Sequence, residues 1–309
     1  SAAAARRRAR DKKSQRRLAE STREIHAAGA PMPAGTDLEG ADNGAHVLRA
    51  GIPQVCGGRD ITVLPYLANQ LKNHQWDGLR YVWDAIVSRP RMAELSDSDS
   101  DNDGDDDDDG AGRDDATGGC ILGHSMGLGK SLQAIALMHT LRKYELATRF
   151  LLVVPANVVF NWVQELGKWL PNGESFVLYN CTVYTRDDRA RAVVRWARDG
   201  GLLLMTYHNF AELVSGAGRM PSQHDDVFAV KAMKDAANKL SECTDLVILD
   251  EGHELRNSST QKAAAFSSFQ CPMRVVLTGY PLQNSLEEYW TMMNFVAPGF
   301  LGTEGEFRE

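Results

Sequence analysis

From residue 118 onward, short apolar runs alternate with stretches whose apolar residues recur every three or four positions. Cys120–Leu122, Phe150–Val154, Phe176–Tyr179, Leu202–Thr206, Leu246–Leu249 and Arg274–Leu277 are predicted as strands. Ser131–Ala147, Val158–Trp169, Asp187–Arg198, the region about Val227–Ser241 and Ser259–Phe269 are predicted as helices. Strands that are apolar throughout, alternating with helices, predict an α/β fold: a mostly parallel sheet with helices on both faces. Ligands of such a sheet sit beyond the carboxyl ends of its strands. Upstream, Leu71, Leu79, Val82, Trp83 and Ile86 predict an amphipathic helix over 71–87, ended by Arg89-Pro90. No apolar run approaches the roughly 18–20 residues of a membrane helix, so no membrane partner is expected.

Charge changes the picture because it is partitioned. The 309 residues carry a net −7. Residues 1–24 hold nine Arg/Lys against Asp11, Glu20 and Glu24, and residues 97–115 hold eleven Asp against Arg113. Removing both segments leaves −3, so the acidic average does not argue against a nucleic-acid partner. Residues 1–60 read as a basic, then Gly/Pro/Ala-rich disordered tail, whose cluster suits nuclear import or phosphate binding. Residues 93–117 read as an acidic disordered insert. Asp99, Asp101, Asp103 and Gly104 match the start of a calcium loop, but Gly110 occupies the position that needs a bidentate Glu. The five cysteines lie at least 28 residues apart, which suggests reduced thiols and no structural zinc site. The chain begins with Ser1 and has no apolar leader, which reads as an intracellular fragment.

The candidate chemistry centres on Ile121–Ser131, ILGHSMGLGKS. Gly123-His124-Ser125-Met126-Gly127 fits the nucleophile elbow of a serine hydrolase, with Ser125 as nucleophile. Gly129-Lys130-Ser131 ends a phosphate loop, although His124 replaces the first Gly of the full pattern. The rest of the chain favours nucleotide. No His-Gly dipeptide offers an oxyanion loop, whereas Leu246–Glu251 is an apolar strand ending in two acids. Gly127 and Gly129 let backbone N–H groups curl toward phosphate, and Lys130 supplies a cation. Ser131 and Asp250 suit Mg²⁺, while Glu251 can orient or deprotonate the attacking water.

Together these residues resemble the Swi/Snf-type ATPases of helicase superfamily two, and in particular the ATRX-like branch. Leu71–Gly78 resembles the family's adenine-recognition segment, with Gln75 as its glutamine. His124, Ser125, Met126, Gly127, Leu128, Gly129, Lys130 and Ser131 resemble its phosphate loop. Val153-Val154-Pro155 with Asn161-Trp162, Glu165 and Lys168-Trp169 resembles the block lying beside the DNA backbone. Asp250-Glu251-Gly252-His253 stands at the DEAH position, with Gly252 an ATRX-like variant. Leu277-Thr278-Gly279-Tyr280-Pro281-Leu282-Gln283-Asn284 resembles the block coupling ATP state to DNA, with Tyr280 where Thr is usual.

The resemblance implies a single RecA-like lobe over 61–309. It implies ATP and Mg²⁺ as ligands, double-stranded DNA and chromatin as partners, and a nuclear location. Catalysis falls to Lys130, Asp250 and Glu251, and coupling to His253, Thr278 and Gly279. A second RecA-like lobe with an arginine finger is implied as well, so the lone lobe should bind ATP with little turnover. A non-catalytic nucleotide- or DNA-binding module is the alternative. Trp162 and Trp169 are expected in the core.

Overall fold

The computed structural model describes residues 47–49, 60–88, 118–170, 176–217, 227–255, 261–279 and 286–308. Most of the expected tail, all of the acidic insert with its calcium-like stretch, Cys56 and Tyr280 lie outside the described residues. The first described pieces are β1 (Val47–Arg49) and β2 (Ile61–Thr62), which pair antiparallel. They are followed by the short α1 (Pro65–Ala68) and by α2 (Asn73–Trp83), which continues as a π-helical turn over Asp84–Ser88. β1 falls inside the segment expected to be a tail. It is held because Leu48 is buried in the core and the Arg49 guanidinium is bonded to the Asp84 carboxylate.

The main sheet has six strands. They are β3 (Gly118–Leu122), β4 (Arg149–Val154), β5 (Leu178–Asn180), β6 (Gly201–Thr206), β7 (Leu246–Asp250) and β8 (Met273–Leu277). All pairs are parallel, and the order is β3-β8-β7-β4-β6-β5. Between and after them run α3 (Lys130–Lys143), α4 (Val159–Trp169), α5 (Arg186–Asp199), α6 (Tyr207–Ala217), α7 (Val227–Cys243), α8 (Gln261–Ser267), α9 (Leu286–Val296) and α10 (Glu304–Arg308). Alternate strand residues feed two cores. Leu152, Leu204, Ile248 and Val275 pack with α2, α3 and α4, whereas Val153, Leu203, Leu249 and Val276 pack with α5 to α9. Burial on both faces is why the strands read as unbroken apolar runs. Among the described residues no helix is long and apolar enough to cross a membrane.

Several boundaries differ from expectation. Helix α3 ends at Lys143, not Ala147, in a Schellman turn: Leu146 N–H donates to Leu141 O at 2.9 Å and Glu145 N–H to Arg142 O at 3.1 Å. Glu145 takes the left-handed position (φ 56°), and without the usual Gly the sequence carries no stop signal there. The expected strand 176–179 shifts to Leu178–Asn180, and Phe176 instead packs edge-on against Phe150, with ring centres 5.3 Å apart. Helices α6 and α9 were not anticipated. The first follows β6 without a linker, Thr206 Oγ1 accepting the Asn209 N–H at 3.1 Å as an N-terminal cap.

Arg274 on β8 is buried, and burial pulls its pKa down. It donates to Cys271 O at 3.0 Å and Phe295 O at 2.9 Å and lies over the Phe295 ring. It thereby ties α9 to the sheet. Arg274→Met strands both carbonyls and is expected to cost about 2–3 kcal/mol, read as a lower urea midpoint at unchanged slope.

Candidate functional site

The sheet register sets the geometry. Leu122 at the end of β3 pairs with Leu277 of β8, and Leu277 pairs with Asp250 of β7. The phosphate-loop sequence, the Thr278-Gly279 block and the two acids therefore leave the sheet at one level along its carboxyl edge. Thr278 is fully buried, and its N–H donates to Leu122 O at 3.2 Å. Gly279 lies against the loop: a Cβ there would come within 3.0 Å of Met126 Cγ.

Between β3 and α3 the chain makes an exposed loop whose two glycines are left-handed, Gly127 at φ 80° and Gly129 at φ 76°. Lys130 opens α3 and is buried, its Nζ donating to His124 O at 2.7 Å and also reaching Ser125 O at 3.4 Å. Burial lowers its pKa, opposed by the negative charges of Glu251 and Asp250. The structure thus brings Lys130 into the field of both acids across the intervening strand.

Gln75 is buried rather than an exposed helix-start residue. Its Oε1 accepts the Lys72 N–H at 2.8 Å, and its Nε2 donates to Leu128 O at 2.9 Å. A Cβ on Gly129 would stand 2.1 Å from that Nε2, so a side chain there would displace the Gln75 amide besides straining the left-handed backbone. His74 Nε2 also approaches Leu128 O, at 3.4 Å. His124 Nδ1 lies 3.3 Å from Gln133 Nε2 of α3. Burial, then His74 and Lys130, lower the His124 pKa, which favours the neutral ring.

The acids are held from behind. Trp162 Nε1 donates to Asp250 Oδ2 at 2.7 Å, the Glu251 N–H donates to Oδ1 at 3.0 Å, and the Tyr207 hydroxyl donates to Asp250 O at 2.8 Å. Burial raises the Asp250 pKa, a trend the Trp162 hydrogen bond opposes. Glu251 itself adopts a left-handed backbone (φ 52°), an uncommon conformation for a residue with a side chain. Its Oε2 lies 3.1 Å from His253 Nδ1. Gly252 is explained by space, since a Cβ would stand 2.2 Å from Val276 Cγ1.

The sequence offered no sign of Gln133 or Tyr207, and Trp162 was expected in the core and within the block that resembles the one beside the DNA backbone, not at the acid. Trp162 is buried, but it also carries a polar bond to the acid. The available signal was the indole itself, because a buried Trp N–H usually requires a partner.

The comparisons agree with this architecture. The family described as SNF2-related domain matches residues 59–309. Helicase ARIP4 of Xenopus tropicalis is 35% identical over 281 residues, covering 81% of this chain and 19% of that protein. Protein CHROMATIN REMODELING 20 of Arabidopsis thaliana is 31% identical over 280 residues, covering 90% and 17% respectively. Transcriptional regulator ATRX of Mus musculus is 33% identical over 246 residues, covering 77% and 9%. The chain thus spans less than a fifth of the length of each of these relatives. In fold, it is similar to the SWI2/SNF2 ATPase core of Sulfolobus solfataricus, solved in complex with dsDNA. That likeness has a TM-score of 0.51 at 23% identity and covers 77% of this chain and 38% of the other. With the RecA-like sheet in place and the family match running over most of the chain, this protein belongs to the SNF2-related domain family.

Proposed function

We propose that the chain binds Mg²⁺-ATP and forms the nucleotide-holding half of a DNA-dependent ATPase that moves along double-stranded DNA in chromatin, in the nucleus. The observation that carries the reading is the common level at which the Lys130 loop, the Thr278-Gly279 block and Asp250-Glu251 leave the sheet. The DNA and chromatin parts rest on the relatives, which are named as helicases or for chromatin remodelling. A second RecA-like lobe supplies the arginine that this half needs for turnover.

The residues fit magnesium of the phosphate-bound kind, which needs only one or two protein oxygens. Asp250 and the Ser131 hydroxyl would hold it, and the bound ion would neutralise charge on the transferring phosphoryl group. The chain's own groups do the rest. The Gly127 and Gly129 turns and the start of α3 present N–H donors to the phosphates. Lys130 exchanges the carbonyls of His124 and Ser125 for β- and γ-phosphate oxygens. Gln75, already bonded to Leu128, places the adenine-recognition helix on the loop that holds the phosphates. Glu251 takes the proton of the attacking water. His253 links that acid to the DNA-facing side, and Thr278 and Gly279 transmit the state of the loop.

Equilibrium titration with a fluorescent ATP analogue and Mg²⁺ tests the reading. The wild-type chain is expected to bind, Lys130→Ala to bind about 10- to 100-fold more weakly, and DNA to stimulate turnover only once a second lobe is added. Absent binding by the wild type, or equal binding by Lys130→Ala, would overturn it.

A further inference from the structure

Asp250 closes β7, and both oxygens of its carboxylate are already engaged by protein donors, one by Trp162 and one by the N–H of Glu251. Each carboxylate oxygen has two acceptor positions, so one on each oxygen remains for another ligand. Which way those positions face is set by the donors already in place. The Glu251 N–H belongs to the same strand end and turns with it. The indole comes from elsewhere: Trp162 lies in the first turns of α4, just beyond β4, the neighbour of β7. Tyr207, the first residue of α6 just beyond β6, holds the main-chain oxygen of the same aspartate. Trp162 and Tyr207 are each only 2% exposed. An indole has a single N–H, and here it is spent on the acid. Phenylalanine would fill much of the same apolar space, so the donor is the feature that packing alone leaves unexplained.

We propose that Trp162 is a positioning residue for Asp250: its indole N–H fixes the carboxylate rotamer in which Asp250 accepts magnesium. The inference rests on the Mg²⁺-nucleotide reading above and deepens it. Tyr207 has the companion role of fixing the backbone from which that carboxylate projects. Because the indole is a rigid plate between α4 and the acid, a displacement of α4 alters the carboxylate orientation. Partners that orient a metal ligand in this way change metal affinity far more than they change the fold.

The test measures the Mg²⁺ concentration that half-restores tight binding of a fluorescent ADP analogue to the chain, with binding in EDTA measured alongside. Trp162→Phe is expected to raise that concentration at least about tenfold while metal-free binding stays within about twofold. A second substitution guards against a packing defect: 3-benzothienylalanine at 162 keeps the bicyclic shape and replaces N–H by sulfur. It is expected to shift the Mg²⁺ requirement as Trp162→Phe does, with a melting temperature lowered by only the few degrees that one buried hydrogen bond is worth. A wild-type Mg²⁺ requirement in the benzothienyl protein would overturn the inference, whatever Trp162→Phe does. If wild-type nucleotide binding ignores Mg²⁺ altogether, the magnesium reading itself fails and takes this inference with it.

Discussion

Glu251→Gln is expected to cut ATP hydrolysis by roughly 10²–10⁴-fold while nucleotide affinity is retained within about threefold. Glutamine is nearly isosteric and can still bond His253, which lies 3.1 Å from the carboxylate. It can also keep the left-handed backbone at this position, because the side chain is of the same size. What it cannot do is accept a proton from water. Phosphate release under single-turnover conditions, with double-stranded DNA and a second lobe supplied, separates the two quantities. A parallel loss of binding and turnover would make Glu251 a structural residue. Unchanged turnover would remove it from the chemistry.

Gly119→Ala is expected to destabilise the fold by about 3 kcal/mol without touching a nucleotide residue. A Cβ at Gly119 would stand 1.9 Å from the Val296 carbonyl oxygen and 2.7 Å from its carbon. Those are main-chain atoms of α9, so no side-chain rotation relieves the overlap. Either α9 lifts from β3 or the strand leaves its register with β8, where Gly119 pairs with Arg274. The melting temperature should fall by about 6–12 °C for a lobe of this size. Nucleotide affinity at low temperature should stay near wild type, because the strand end at Leu122 is held separately by Leu277 and by the Thr278 N–H. A melting temperature unchanged within error would refute the close approach of α9.

The sheet was legible because strands buried on both faces must be apolar at every position, and Leu246–Leu249 or Phe150–Val154 satisfy little else. The turn between β3 and α3 was legible because Gly127 and Gly129 stand where left-handed backbone is needed. Helix ends were less so, since Glu145 turns α3 without a glycine. Helix α6 was hidden because β6 runs into it without a loop, so no break marks the change of period. Trp162 shows a different limit: apolar spacing identifies a buried aromatic residue but not the direction of its N–H. Gln75 shows a third, for its match to the adenine segment gave no hint that its amide is bonded to the phosphate loop.

The place of β8 in the sheet has a consequence for inheritance of defects. It lies between β3 and β7, which puts the phosphate loop and the acids about 10 Å apart, with Thr278 and Gly279 midway between them. A lesion at either flank removes one ingredient, and the protein simply stops. On the proposed coupling role of Thr278 and Gly279, a lesion at the midpoint would leave both ingredients in place but disturb their timing. Alleles at the end of β8 should therefore consume fuel yet deliver little work, a phenotype that nucleotide-binding assays alone would score as healthy.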